Sequence, residues 1–299
     1  MSSAPLIGAT PEASGAIQRL PFRHSSGRAS PVEVTRLSSL RARGLDHSIY
    51  DPTRLTFHFL QFVVAGDGAH TVDFVRTPLQ TGDVLHIRPE QVHAFDPASE
   101  HEALAVFFTP EAPGLSRAPA VWWPSGPLLR PSAGDADVLV GLVRLLERLD
   151  DGSAEIRPES FSPYALAAIL AGLADVTAAQ RHPIDITAQR YEALVSAFEQ
   201  RLDRHIATSR SPAWYAPDLG TTTRTLARAC REVRGRSPKQ IADARAVLEA
   251  KRLLATTTDT VEAIGYALGF SEATNFVKFF RRVDGSTPEA FRRSQGAAG

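Results

Sequence analysis

The fold is decided by the stretch Ile264-Gly-Tyr-Ala-Leu-Gly-Phe-Ser-Glu-Ala-Thr-Asn-Phe-Val-Lys-Phe-Phe-Arg-Arg-Val283. Gly269 interrupts a helical pattern of apolar residues, and Ser271 just after it can cap a new helix. We therefore expect one helix before the glycine and a second helix over about residues 272–283. Two helices joined by so tight a turn form a helix-turn-helix unit, which we place at residues 261–283.

The same arrangement occurs once more upstream, because Leu219-Gly220 precedes its turn as Leu268-Gly269 does in the first stretch. We expect this other unit at residues 212–234. A long helix over residues 238–255, opened by the start signal Ser237-Pro238, would join the two units. In such units the second helix is a recognition helix, which lies in the major groove of DNA.

Several motifs in this region are distinctive: Ala250-Lys-Arg-Leu-Leu254, the turn Leu268-Gly-Phe270, the helix Phe276-Val-Lys-Phe-Phe-Arg-Arg282 and the tail Gly285-Ser-Thr-Pro288. They strongly resemble the AraC/XylS family of bacterial transcription regulators. The resemblance covers about one third of the chain. It implies an all-α DNA-binding domain, with two helix-turn-helix units, over residues 184–299.

Carried over position by position, the family pattern implies which side chains contact double-stranded promoter DNA. They are Arg224, Thr225, Ala227, Arg228 and Arg231 on the first recognition helix, and Ala273, Thr274, Asn275, Val277, Lys278, Arg281 and Arg282 on the second. Arginine pairs with guanine, asparagine with adenine, and small apolar side chains can contact a thymine methyl group. We expect Arg224 and Arg228 to read bases, with phosphate contact or a solvated helix face as alternatives. Arg281 and Arg282 would contact phosphate.

The apolar residues of the same region form the expected core of the domain. They are Leu226, Ile264, Leu268, Phe276, Phe279 and Phe280, and Cys230 is expected among them as a small inward residue. Ala273 and Val277 could equally be buried fillers. Pro217 departs from the family pattern, because it falls inside the first short helix, where proline costs about 3 kcal/mol. Either this unit is distorted or its helix has other ends.

Residues 32–108 have the short alternating runs and Gly or Pro turns of an antiparallel sheet. The segment Gly82-Asp-Val-Leu-His-Ile-Arg-Pro-Glu-Gln-Val-His93 is similar to the second motif of a cupin. This resemblance implies a cupin-like β-barrel over residues 31–125, used for effector binding or dimerisation. With the C-terminal domain it gives an α+β protein of two domains.

The barrel region raises the question of a ligand. A small-molecule pocket would be lined by Phe57, Phe59, His70, His93 and Phe95. The alternative is a barrel filled by its own side chains and used only for dimerisation.

A metal site is the other candidate, because His58, His70, His86 and His93 lie in this region. The His-x-His pair of the first cupin motif occurs nowhere in the chain, and three converging ligands would be needed for catalysis. We therefore predict no metal, no cofactor, no catalytic residue and no enzymatic activity. The rival hypothesis is a cupin-type metal enzyme with an accessory DNA-binding domain, and a third is a co-regulator that acts mainly on another protein.

Two further segments complete the expected organisation. Residues 1–30 are rich in Ser, Ala, Gly and Pro, as in a flexible leader. Residues 126–183 show helical periodicity, with Val138, Leu142, Leu145, Leu146 and Leu149 on one stripe. We interpret them as a linker that pairs two subunits into a homodimer, although packing on the barrel fits equally well. RNA polymerase would be a further partner of a promoter-bound regulator.

Charge and composition bound the class of protein. The chain has no net charge, but residues 187–299 hold 18 Lys and Arg against 12 Asp and Glu, and residues 1–186 hold 15 against 21. Unless this is ordinary scatter, the basic C-terminal part is the one that meets a polyanion. A single cysteine fits a reducing compartment. Without a signal peptide or an apolar run of about 18 residues, we expect a cytoplasmic protein that does not cross a membrane.

Overall fold

The structure is a computed structural model that describes residues 17–42, 50–118, 126–153, 158–180 and 186–296. The chain divides into two compact units between Arg181 and His182. The first unit contains the β-sheets and two long helices, and the second is helical. The expected two-domain α+β fold is thus confirmed. The helices within residues 126–183 share a compact unit with the strands, so the structure does not set them apart as a separate linker.

The strands of the first unit form two five-stranded sheets. They are β1 (Gln18–Leu20), β2 (Val32–Arg36), β3 (Thr53–Leu55), β4 (His58–Ala65), β5 (Gly68–Val72), β6 (Val75–Leu79), β7 (Val84–Ile87), β8 (Val92–Phe95), β9 (Glu102–Phe108) and β10 (Leu128–Leu129). The first sheet has the order β1-β3-β8-β5-β6, and the second has the order β10-β7-β4-β9-β2. Neighbouring strands are antiparallel except for β1 and β3, which are parallel.

Two elements depart from the sequence prediction. Gln18–Leu20 pairs with Thr53–Leu55 although it lies in the expected leader, so a flexible leader reaching residue 30 is not what the structure shows. Residues 1–16 of that leader lie outside the described residues. A short helix, α1 (Leu37–Ala42), also interrupts the region over residues 32–108, for which we predicted an antiparallel sheet.

The second sheet is buried on both faces, which explains why β4 is an almost continuous apolar run. Phe59 and Val63 on this strand join the core between the two sheets. Leu60 and Phe62 point the other way, into a second core against two helices. The sheet therefore forms the middle layer of the unit.

These two helices are α2 (Ala133–Asp150) and α3 (Pro158–Ala179). The side chains that α2 buries against the sheet are Leu139, Val143, Leu146 and Leu149. The expected stripe is confirmed at Leu146 and Leu149, whereas Val138 is 65% exposed and Leu145 is 37% exposed. The inward face of α2 therefore packs on the sheet, which was the stated alternative to dimerisation.

Helix α3 also corrects the expectation that no segment is long and apolar enough to cross a membrane. Ser160–Ala179 meets that condition by length and composition. However, Leu166, Ile169, Leu170 and Leu173 are fully buried in the core of the unit. A buried core helix of a globular unit satisfies the same condition, and packing explains this composition.

Within the described residues, the second unit consists of two long helices, α4 and α7, and five shorter ones. They are α4 (Ile186–His205), α5 (Pro212–Tyr215), α6 (Thr223–Arg234), α7 (Pro238–Thr256), α8 (Val261–Ala267), α9 (Ala273–Asp284) and α10 (Pro288–Gly296). Side-chain oxygens of Thr222, Ser237 and Thr260 accept hydrogen bonds from the first turns of α6, α7 and α8. These caps satisfy amide groups that the helices themselves leave unpaired.

Pro217 does not disturb the first of these helices. Helix α5 ends at Tyr215, so the proline follows the helix instead of interrupting it. The chain then continues in turns to Gly220, whose amide group donates to the Pro217 carbonyl oxygen (2.9 Å). A second small difference lies at α9, where the cap position is Glu272 and not Ser271.

Candidate nucleic-acid interface

Two helix-turn-helix units lie in the second unit of the chain, α5 with α6 and α8 with α9. Gly220 and Gly269 occupy the turns with φ of +61° and +78°, a conformation that favours glycine. Gly269 has a second requirement, since a Cβ atom there would lie 2.4 Å from the Ala207 carbonyl oxygen. The two glycines that suggested the units from the sequence are thus required by backbone geometry.

Helix α6 separates its two faces sharply. Leu226, Ala229 and Cys230 are buried, and burial raises the pKa of the Cys230 thiol to about 11, so this cysteine is a core residue. Arg224, Arg228 and Arg231 are exposed. Their spacing of four and three residues places them on one side of the helix. The helix therefore presents a continuous basic stripe to solvent.

The arginines of this stripe differ in their partners. Arg228 Nε donates to Glu232 Oε1 (2.8 Å), and its guanidinium lies 5.9 Å from the centre of the Tyr191 ring on α4. Within the described residues, Arg224 and Arg231 have no ion-pair partner. Two other residues of α6 were expected to contact DNA, Thr225 and Ala227. Ala227 is half-buried, and the backbone N–H of Thr225 donates to the hydroxyl of the capping Thr222 (3.1 Å).

Helix α9 has a larger apolar side and a less basic outer side. Phe276 and Phe280 are fully buried. Phe279, which we expected in the core, is only half-buried, and its ring contacts Phe270 (5.0 Å between ring centres). The outer residues are exposed at Thr274, Asn275, Lys278, Arg281 and Arg282 and half-buried at Ala273 and Val277.

Arg282 is held by a neighbouring helix. Its Nη2 donates to Asp243 Oδ2 on α7 (3.2 Å), and Lys239 contacts the other oxygen of that carboxylate. Asp243 is buried, whereas Arg282 remains 63% exposed at its side chain. Arg282 thus joins the recognition helix to the connecting helix while most of its surface stays accessible.

Arg234 anchors the other recognition helix, and the sequence analysis did not single it out. Its guanidinium makes four hydrogen bonds of 2.9–3.1 Å to the carboxylates of Glu192 and Glu199 on α4. Burial disfavours its charge, but the two carboxylates outweigh burial and raise the pKa of Arg234. The pairing joins residues that are 35 and 42 positions apart, so no local sequence pattern could indicate it.

Four of the five residues expected to line a barrel pocket meet inside the first unit. Phe59 lies 6.1 Å from His70, 5.9 Å from His93 and 6.1 Å from Phe95, measured between ring centres. Phe57 contacts Phe107 instead (5.7 Å). These rings are buried and touch one another, which favours the alternative of a barrel filled by its own side chains.

The four histidines considered for a metal form two separate pairs. His70 Nε2 and His93 Nδ1 are 2.9 Å apart, and His58 Nδ1 and His86 Nε2 are 3.0 Å apart. His93 belongs to the first sheet, whereas His58 stacks on Phe108, which lies in the core between the second sheet and the helices. Burial lowers the pKa of His58 and His93 to about 3, Arg88 adding to the effect at His58. In the described ranges, no three His, Cys, Asp or Glu side chains are grouped as metal ligands.

Comparisons with known proteins agree with the helical geometry. Residues 215–294 match the family described as "Helix-turn-helix domain". The HTH-type transcriptional activator RhaS of Escherichia fergusonii is 28% identical over 97 residues, which are 32% of this chain and 35% of RhaS. YisR of Bacillus subtilis, an uncharacterized HTH-type transcriptional regulator, is 32% identical over 68 residues, 23% of this chain and 24% of YisR. The chain thus spans about a third and a quarter of these relatives.

Among solved structures, a transcriptional regulator with an AraC-type DNA-binding domain from Chromobacterium violaceum is 25% identical. The similarity covers 38% of this chain and 100% of that chain, with a TM-score of 0.33. The family match over residues 215–294 runs from the last residue of α5 into α10, and it contains α6, the connecting helix α7, α8 and α9. Residues 215–294 of this chain are therefore a helix-turn-helix domain, similar to the corresponding parts of HTH-type transcriptional regulators.

Proposed function

We propose that this protein is a sequence-specific DNA-binding transcription regulator whose α6 and α9 enter two adjacent major-groove segments of one duplex. The observation that supports it most is the exposed face of each recognition helix within one helical unit. Both faces are polar or basic, and both helices are fixed to their neighbours by ion pairs. Rigid presentation matters because base edges are read by donors held in place.

Electrostatics supplies a second line of support. The exposed Arg224, Arg228 and Arg231 on α6 and Lys278 and Arg281 on α9 would each lie near phosphates or base edges. Each phosphate that is neutralised releases counterions, so affinity falls with salt. With several such contacts we expect log affinity against log salt to have a slope steeper than about −3.

Selection of bound sequences from random duplexes, with the full chain, tests the proposal. We expect an enriched site with two elements about one helical turn, roughly 34 Å, apart. The site should bind about 10³-fold more tightly than random duplex. Absence of any preference at moderate salt would contradict the proposal.

Single variants then separate the two kinds of contact. Arg228→Ala should relax the preference at one base pair and weaken the selected site by about 1–3 kcal/mol. Arg282→Ala should weaken all duplexes alike, as expected for a phosphate contact. Arg293→Ala, an exposed arginine on α10, is the matched control for loss of one positive charge. If Arg228→Ala and Arg282→Ala act alike, the division between the two roles is wrong.

The first unit, in this proposal, pairs two copies of the chain. Val138 and Leu145 form an exposed apolar stripe on the outer side of α2, while Leu142 between them packs partly against the core. Burying such a stripe against a second copy would remove apolar surface from water. Val138→Glu combined with Leu145→Glu should convert a dimer to a monomer in analytical ultracentrifugation, whereas Asp137→Asn should not. A monomeric wild type would contradict this part of the proposal.

The barrel interior serves packing and not ligand binding in this proposal. Phe59 has ring contacts on several sides, so its truncation should leave a cavity and destabilise the unit by about 3–5 kcal/mol. If Phe59 lay beside a ligand-sized space, its truncation would lower the free energy of unfolding by less. Thermal unfolding of Phe59→Ala against the wild type measures the difference, and a loss below about 1 kcal/mol would favour a ligand pocket over a filled barrel.

A further inference from the structure

Glu232 places a negative charge on the basic stripe of α6. Its carboxylate is one turn beyond Arg228 and accepts that arginine's Nε–H at 2.8 Å. Both side chains remain accessible, 68% for Arg228 and 48% for Glu232. A carboxylate that faces the same way as three arginines would oppose DNA binding, because DNA phosphates are negative.

The contact adds little to stability. Exposed ion pairs at this spacing are screened by water and salt. Helix α6 also has its own cap at Thr222 and the half-buried anchor Arg234. Stability is therefore a poor explanation for the carboxylate at this position.

The geometry of the pair suggests a different role. A guanidinium has five N–H donors, and Glu232 uses the one at Nε. The two terminal amino groups of Arg228 are left to make the paired contacts that match guanine O6 and N7. Tyr191, 5.9 Å from the guanidinium, limits movement on another side. The long side chain is thus restrained from two directions, with its reading edge free.

We propose that Glu232 is a specificity-determining positioning residue, which holds the Arg228 guanidinium for one base pair; this rests on the proposed DNA-binding function. Restraint in the free protein removes part of the entropy that Arg228 would lose on binding its base. The same carboxylate repels phosphates, so it weakens binding to every sequence. Glu232 therefore increases discrimination at the expense of general affinity.

Three variants of the full chain separate positioning from charge. Glu232→Ala removes both the hydrogen bond and the charge, whereas Glu232→Gln keeps an oxygen that can accept from Arg228 Nε. Neither change disfavours a helix, because Ala and Gln are good helix formers. Glu289→Gln on α10, which is exposed, is the control for the loss of one negative charge away from α6.

Binding is measured on the selected duplex, on duplexes changed at each base pair and on random duplex. For Glu232→Ala we expect discrimination at one base pair to fall about two- to tenfold, while affinity for random duplex rises. Glu232→Gln should gain the same general affinity but keep most of the discrimination. Glu289→Gln should leave discrimination as in the wild type. A variant that merely unfolds would lose affinity for all duplexes instead.

A second cycle in the Arg228→Ala background tests whether Glu232 acts through the arginine. There, Glu232→Ala should no longer change discrimination at any base pair. A remaining effect would mean that Glu232 contacts a base itself and would overturn the proposal. Equal loss in the Gln and Ala variants, or no loss in either, would also overturn it. If the wild type shows no preferred sequence, the DNA-binding function itself fails; if it does and Glu232 variants match it, only this inference fails.

Discussion

Replacing Arg234 by alanine is the most direct test of how the first recognition helix is fixed. The guanidinium lies between Glu192 and Glu199, and its removal leaves two carboxylates facing each other without a cation. Alanine is a good helix former, so the propensity of α6 itself is not the issue. The expected loss of stability comes from the two partly buried carboxylates, which no longer share the Arg234 cation.

The magnitude follows from burial. Removing one partner of a fully buried ion pair costs about 3–5 kcal/mol, whereas an exposed pair contributes about 0.2–1 kcal/mol. The side chains here are 20–30% exposed, so screening by solvent reduces the first figure. We expect a loss of about 2–3 kcal/mol in the free energy of opening α4 and α6. Arg228→Ala, which breaks only the exposed pair with Glu232, should cost far less, because solvent screens that pair.

Hydrogen exchange read by mass spectrometry on the full chain measures this locally. A loss of 2–3 kcal/mol corresponds to amide exchange about 30- to 140-fold faster in peptides from α4 and α6. Peptides from β4, in the other unit, should be unchanged and serve as the internal control. If Arg234→Ala accelerates exchange no more than Arg228→Ala does, the anchor has been misread. The charge network would then be incidental to the placement of α6.

Three further predictions concern stability. Gly269→Ala should destabilise the helical unit by at least about 2 kcal/mol more than Gly220→Ala. Both glycines have a positive φ, but only a Cβ atom at Gly269 would lie 2.4 Å from a backbone oxygen. Hydrogen exchange of α8 and α9 measures the destabilisation, and equal effects of the two substitutions would contradict the prediction. Burial alone would lower the pKa of His24, but Asp150 raises that pKa above the ordinary 6.5. The pair therefore stabilises the folded protein below about pH 6.5, and this stabilisation is lost as the pH rises through the higher pKa of the folded state. The melting temperature of the wild type should be above that of His24→Gln at pH 6, and the two melting temperatures should converge by pH 9. Burial lowers the pKa of His93 to about 3, so its protonation opposes folding as the pH falls from about 6.5 towards 3. Between pH 7 and pH 5, the melting temperature of His93→Gln should therefore fall less than that of the wild type. An identical fall in both proteins would refute this prediction.

Local signals explain what the sequence could predict of this fold. Ser237 caps its helix as the start signal Ser237-Pro238 predicts, and Thr222 and Thr260 cap theirs in the same way, because a cap depends only on the next three residues. Gly220 and Gly269 mark the turns for a similar reason, since a positive φ is a local property. The helix-turn-helix units were therefore recognisable without any knowledge of tertiary contacts.

What the sequence could not predict depends on distant partners. Val138 and Leu145 fit a helical stripe with Leu146 and Leu149 as well as Leu139 and Val143 do, and only the position of the sheet decides which pair is buried. Strand β1 is three residues long and owes its existence to its neighbour β3. A segment so short has too few residues for a periodic pattern.

The same limit applies to the candidate interface. The sequence predicted which side chains contact DNA, but not the ion pairs that fix the two recognition helices to their neighbours. Helix α6 buries only one large apolar side chain, Leu226, beside the small Ala229 and Cys230, whereas α9 buries the rings of Phe276 and Phe280. Since apolar burial scales with area, α6 gains less from its core than α9 does. The two-carboxylate anchor at Arg234 lies on the helix with the weaker core. This predicts that loss of the anchor affects α6 more than Asp284→Asn, which breaks the Lys251 contact, affects α9.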